Sequence, residues 1–282
     1  MKALATFIMQ GGRQATVVVA VLAVLSLLFP PLIVFSVAGL CLVALRNGAA
    51  DAARVVIGAT VATALMGLVL LGTPVISLTY LFILWMPAYL VSLVLRETGK
   101  FSQALEVLVL LGMIAVLGVY MLVDNPSEQW ALGIQSAIEN ISQQQDLPVT
   151  QEELKAGIEF WSHYITGIVV AGSLATLVLS LILARWWQGL LYNPGGFSEE
   201  FAGIRLLPRD AVVFVTLMFA ALILNNDLAE VLWNVDIQEL LVSFRIIALV
   251  PMHGFRVLLR WCSKFYWLIS IRFYSIQTSL SA

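Results

Sequence analysis

The sequence predicts an all-α protein of the membrane, a bundle of helices crossing the bilayer several times. Three observations carry this. Hydrophobic residues make up 61% of the 282 residues and charged residues only 11%. A soluble domain holds about 45–50% apolar and about 25% charged residues, so a single soluble core cannot bury this excess. The apolar residues also run on without interruption instead of alternating at every second position, which excludes a β-barrel. Finally, the charges are sorted. With alternating spans and an inside N-terminus, Lys2, Arg13, Arg46, Arg54, Arg96, Lys100, Arg185, Arg205, Arg209, Arg256, Arg260, Lys264 and Arg272 all fall on one face. Loops rich in Lys and Arg stay cytoplasmic. Most acids fall on the other face, in residues 124–159 and 227–239, together with Lys155.

The first apolar run, residues 15–45, follows Lys2 and Arg13, and Ser36-Val37-Ala38 has the form of a cleavage site. The run is longer than the apolar part of a signal peptide, so uncleaved membrane segments are expected. Pro30-Pro31 lies at its centre. Proline lacks an N–H and disfavours helix in the residue before it, which predicts a hairpin of two short helices, 15–29 and 32–45. Each would be about 22 Å long, short of the ~30 Å hydrocarbon core. Such helices either enter and return or lie where the membrane is thinned or protein-lined. A single kinked helix is the alternative.

Residues 46–54 read as a polar connection and 55–71 as a span. Gly72-Thr73-Pro74 reads as a turn, and 75–95 as a span kinked by Pro87. Residues 96–100 form a charged loop before the span 101–123. The polar region 124–157 follows. Its isoleucines at 134, 138 and 141 suggest a surface amphipathic helix. Further spans are expected at 158–184, 210–224 and 240–255, separated by a cytoplasmic loop (185–209) and an acidic outer loop (225–239). This gives six clear spans plus the hairpin, or about eight membrane segments, with both termini inside. Residues 1–255 form one transmembrane domain. The tail 256–282 is basic and aromatic and suits either a lipid interface or a loose end.

Groups able to do chemistry are few. His163 and His253 are far apart, and no zinc, Walker, nucleophile-elbow or dinucleotide motif is present. Cys41 and Cys262 form neither a redox pair nor a metal spacing. The reading therefore expects no catalytic residue, metal or cofactor, and no nucleic-acid partner. Glu152, Glu153 and Glu159 near His163 read first as solvated acids. The spans hold mostly Ser and Thr instead of the buried ionisable groups of proton-coupled carriers. Arg245 is the exception, about 7 Å inside its span: it either snorkels to the interface or is a candidate buried charge paired with Asp227, Glu230 or Asp236. Gly167, Ala171 and Ala175 recur on one helix face, as do Ala59, Thr63 and Gly67. Small residues so spaced let helices approach closely.

The most distinctive segment runs from Arg185 through Trp186, Trp187, Tyr192, Asn193, Pro194, Gly195, Gly196 and Phe201 to Arg205. Two tryptophans at a helix end anchor it at the interface, and Asn-Pro-Gly-Gly is a turn. The amphipathic continuation suits a cytoplasmic docking surface. The run ARWWQGLLYNPGGFSEEFAGIRL resembles the hallmark loop of the YybS-like bacterial membrane proteins. The opening residues 1–13 with their short hairpin, and Met252-His253-Gly254, are similar too. The tail from Phe255 departs from that pattern, which continues with a further apolar helix. The resemblance implies a bacterial inner-membrane protein, remotely related to the substrate-capture (S) components of energy-coupling factor transporters and to MreD-type proteins.

Two functions follow as expectations. One is a small-molecule-binding subunit that captures a solute outside and depends on a separate ATPase. The other is a non-transporting scaffold of envelope or cell-shape assembly that docks a partner on residues 185–206. In both, the lipid bilayer is the first partner.

Overall fold

The computed structural model describes residues 2–142, 151–192 and 234–235. They form helices α1 (Lys2–Ile8), α2 (Gly12–Leu25), α3 (Leu32–Asn47), α4 (Ala49–Leu71), α5 (Val75–Tyr80), α6 (Met86–Thr98), α7 (Phe101–Leu122), α8 (Pro126–Ser142), α9 (Gln151–Ser162) and α10 (Ile165–Tyr192). A π-helical turn, Leu81–Trp85, joins α5 to α6. No strand occurs among the described residues. Four helices are long and apolar enough to cross a membrane: Ala49–Leu71, Val75–Thr98, Phe101–Leu122 and Ile165–Tyr192. The expected spans at 210–224 and 240–255, with the tail, lie outside the described residues.

The way these helices bury their residues shows what solvent they need. On α7, Ala104, Leu105, Leu108, Gly112 and Val116 face inward, while Leu110, Ile114, Leu117 and Met121 are exposed. On α4, Ala52, Ala59, Thr63 and Gly67 are buried, and Ile57, Val61, Leu65 and Val69 are exposed. Small and large apolar residues point in, and large apolar residues also cover the outward stripe, where a soluble amphipathic helix would be polar. Water would penalise those stripes, whereas lipid tails match them. The architecture is that of a multi-pass membrane protein.

The short N-terminal helices form the heart of the bundle. Every residue of α3 from Ser36 to Leu45 is buried. Its neighbours are α10, α2, α6 and α4. Helices α2 and α3 are separate, joined through Ser26 to Pro31, and the Ser36 hydroxyl donates to the Val19 carbonyl across them at 2.8 Å. Ser36-Val37-Ala38 is thus fully enclosed. The Ser180 hydroxyl donates to the Val34 carbonyl at 3.1 Å, and Arg46 stacks on Tyr192. Equal spacing on both helices makes α3 and α10 parallel and in step. The hairpin tip consequently sits level with the middle of α10, where the Ser26 and Tyr80 hydroxyls meet at 2.8 Å.

Several boundaries differ from those read off the sequence. The polar connection 46–54 is one residue, Gly48, whose φ of 101° turns α3 directly into α4. Asp51 lies in the first turn of α4, where a carboxylate suits the helix dipole. Arg96, Glu97 and Thr98 belong to α6 rather than to a loop. The kink expected at Pro87 is the π-turn just before it. The proline ring collides with the carbonyl four residues back, and a wider turn relieves that. The polar region 124–157 is largely helical among its described residues, as α8 and the start of α9. The span expected at 158–184 starts only at Ile165, after a break at His163 and Tyr164, and continues to Tyr192.

Candidate functional site

At one end of the bundle, α8 and α9 diverge around an open groove of about 400 Å³. Neither helix is among those apolar enough to span a membrane. The groove is lined by Ser127, Glu128, Ala131 and Gln135 from α8, by Lys155, Ile158, Glu159 and Ser162 from α9, and by His163. Glu128, Lys155, Glu159 and His163 are all exposed. Among the described residues, no ion pair joins Lys155 to either carboxylate. Both signs of charge are therefore available to a visitor. No group of three His, Cys, Asp or Glu among the described residues could hold a metal ion. The groove lies beside the spans rather than among them.

Both walls of the groove are fixed to the start of α10. The indole N–H of Trp130 in α8 donates to the Thr166 hydroxyl at 2.9 Å. The α9 wall ends at His163, where the helix is interrupted by a turn. In a continuous helix the Gly167 N–H would donate to the His163 carbonyl. Here the carboxamide of Asn234 takes the place of that bond. Its Oδ1 accepts from the Gly167 N–H, and its Nδ2 donates to the His163 carbonyl at 2.9 Å and to the Tyr120 hydroxyl at 3.0 Å. Asn234 is fully buried, and each of its polar atoms has a partner. This is what a buried amide requires.

Glycine at 167 makes this possible. A Cβ there would lie 2.7 Å from the Cα and the carbonyl oxygen of Asn234. Along the small-residue stripe, Ala171 and Ala175 are buried, as close packing requires, and Gly167 lets the helical backbone at Asn234 approach closely. On α4, Gly67 likewise faces a turn, with the Thr73 carbonyl 2.8 Å from where its Cβ would be.

The opposite end carries the arginines. The expected docking loop begins as helix: Arg185, Trp186, Trp187 and Tyr192 all belong to α10. Residues 185–192 contain no proline, and the one glycine, Gly189, is tolerated inside the helix. Trp187 is fully buried and its ring lies 6.3 Å from that of Phe35. Trp186 is partly exposed. Arg185 bonds Gln188 at 2.6 Å. The Arg46 guanidinium lies 4.3 Å from the centre of the Tyr192 ring. Arg96 reaches from α6 to the Ala44 carbonyl at 3.5 Å, close against Gly48. It thus brings positive charge to the C-terminus of α3. Asn193, Pro194, Gly195, Gly196, Phe201, Arg205 and Arg245 lie outside the described residues.

Sequence reasoning missed Asn234 and the groove. His163 and Glu159 were singled out, but their partners on α8 lie far away along the chain. No protein-family model, curated protein or solved structure matches this chain.

Proposed function

We propose that the chain is a membrane-embedded binding subunit, which captures a small polar solute in the groove between α8 and α9. One observation supports this above the others. A groove of about 400 Å³ brings Glu128, Glu159 and Lys155 together with no ion pair between them. Sites for small molecules have volumes of roughly 300–1,000 Å³ and a few convergent polar groups. Lys155 would take an anionic group and the two glutamates a cationic one, which favours a zwitterionic or amine-bearing metabolite. The reading assigns binding rather than catalysis.

The charge sorting supports an orientation with the groove outside and both termini in the cytoplasm. In that frame the chain has six spans and a re-entrant N-terminal hairpin. It sits in a bacterial inner membrane, in line with the YybS-like resemblance, and an S-component-like role needs a separate ATPase on the cytoplasmic side.

The test is a thermal-shift panel of amino acids, amines and vitamins on purified protein. The comparison is a variant carrying Glu128→Gln, Lys155→Met and Glu159→Gln. A solute at about 100 times its Kd adds about 2.7 kcal/mol, so a binder raises the midpoint of the wild type and not of the variant. A panel without any stabilising solute, or equal shifts in both proteins, contradicts the proposal.

The second reading is a scaffold of envelope or cell-shape assembly. The exposed face of Trp186 beside Arg185 favours it. Crosslinking from Tyr192 in cells would then recover one defined protein, and recovery of lipid alone would count against it.

A further inference from the structure

We infer that Asn234 is a positioning residue for the groove, setting its width by holding the α9 wall to the first turn of α10. The inference rests on the binding role proposed above for that groove. Three observations carry it. First, both walls depend on the same turn of α10. Trp130 of α8 bonds Thr166 at 2.9 Å, and the next residue, Gly167, bonds Asn234. Second, the α9 wall has no helical continuity with α10, because the bond expected between His163 and Gly167 is replaced by the Asn234 carboxamide. The same His163 whose carbonyl accepts from Asn234 at 2.9 Å also lines the groove. Third, the fit is specific to this side chain. A carboxamide alone offers the acceptor and two donors used here, and Gly167 leaves no room for a Cβ beside it.

The consequence is a link between two outer segments that are distant in sequence. Displacing residue 234 frees the His163 carbonyl and with it the end of α9. The α8 wall stays attached through Trp130. The groove would then widen from one side only. A solute that bridges α8 and α9 would in turn favour the docked position of Asn234, since linked equilibria are reciprocal.

Substitution by aspartate separates the two halves of this role. Asn234→Asp keeps an acceptor for the Gly167 N–H but, when ionised, cannot donate to the His163 carbonyl. Protonation restores one donor. The experiment is pulsed electron–electron resonance on the full chain, with spin labels at Gln135→Cys and Lys155→Cys in a Cys41→Ala, Cys262→Ala background. The parent should give one narrow distance distribution. Asn234→Ala should broaden it towards longer distances. Asn234→Asp should be broad at neutral pH and narrow on acidification. Acidification of Asn234→Ala is the control, because it leaves Glu128, Glu159 and His163 in place and under the same conditions. Tyr120→Phe removes one bond to Asn234 without touching His163, and should lower the melting temperature while the distance stays narrow. A narrow distribution in Asn234→Ala overturns the inference, and so does an Asn234→Asp distribution that ignores pH. No solute is needed, so failure here leaves the binding proposal standing, and a silent solute panel leaves this one standing.

Discussion

The two ends of α10 are held in opposite ways. At its C-terminal end Arg46 stacks on Tyr192, Arg185 bonds a residue of its own helix, and nearby Arg96 reaches the end of α3. These are partly exposed contacts of long, adaptable side chains, each worth little alone. At its N-terminal end a buried amide fills a break in the helix, with every polar atom matched. Buried networks of this kind are costly to break because the orphaned groups cannot return to water. The first end tolerates change and the second does not. The end that would bind a solute is thus the more tightly specified.

The sharpest way to break this contrast is Gly167→Ala. Its methyl would meet the Asn234 backbone at 2.7 Å rather than a flexible side chain. Overpacking and lost hydrogen bonds together should cost about 3 kcal/mol, visible as a lower melting temperature in micelles. Gly48→Ala makes the matching change at the other end. It places Cβ at a φ of 101° and against the Arg96 guanidinium, which can swing away. A cost of about 1–2 kcal/mol is expected, mostly backbone strain. Arg46→Gln removes the stack on Tyr192 and should cost about 0.5–1 kcal/mol in the same assay. Asp51→Asn, which breaks an exposed pair with Arg54, should fall within about 0.5 kcal/mol of the parent. If Arg46→Gln proved as damaging as Gly167→Ala, the contrast between the ends would be lost.

The same contrast explains what the sequence made legible. The crossing helices α4, α5–α6 and α7 were readable because hydropathy, Gly72-Thr73-Pro74 and Pro87 are local signals. The Pro30-Pro31 hairpin was readable for the same reason, and the enclosure of α3 was only one of its open alternatives. Short loops were overestimated because charged residues were read as loop. Ala49 to Arg54 and Arg96 to Thr98 are helical, and single glycines do the turning. The break before α10 was unreadable. Residues 159–165 carry neither glycine nor proline, and the amide that fills the gap comes from Asn234, 71 positions beyond His163. The groove failed for a related reason, since its charges come from two helices with nothing in sequence to pair them. The spacing of Gly167, Ala171 and Ala175 signals a close neighbour, but nothing in it points to Asn234 or to its carboxamide filling the break.

The account turns on Asn234 filling the gap at the head of α10, and amide hydrogen exchange at Gly167 tests that most directly. In Asn234→Ala the Gly167 amide loses its acceptor. Its exchange should speed up by about 10-fold to 100-fold, as expected for one lost buried hydrogen bond, while Val178 in the same helix exchanges as in the parent. A Gly167 amide equally protected with and without the Asn234 side chain would contradict the account.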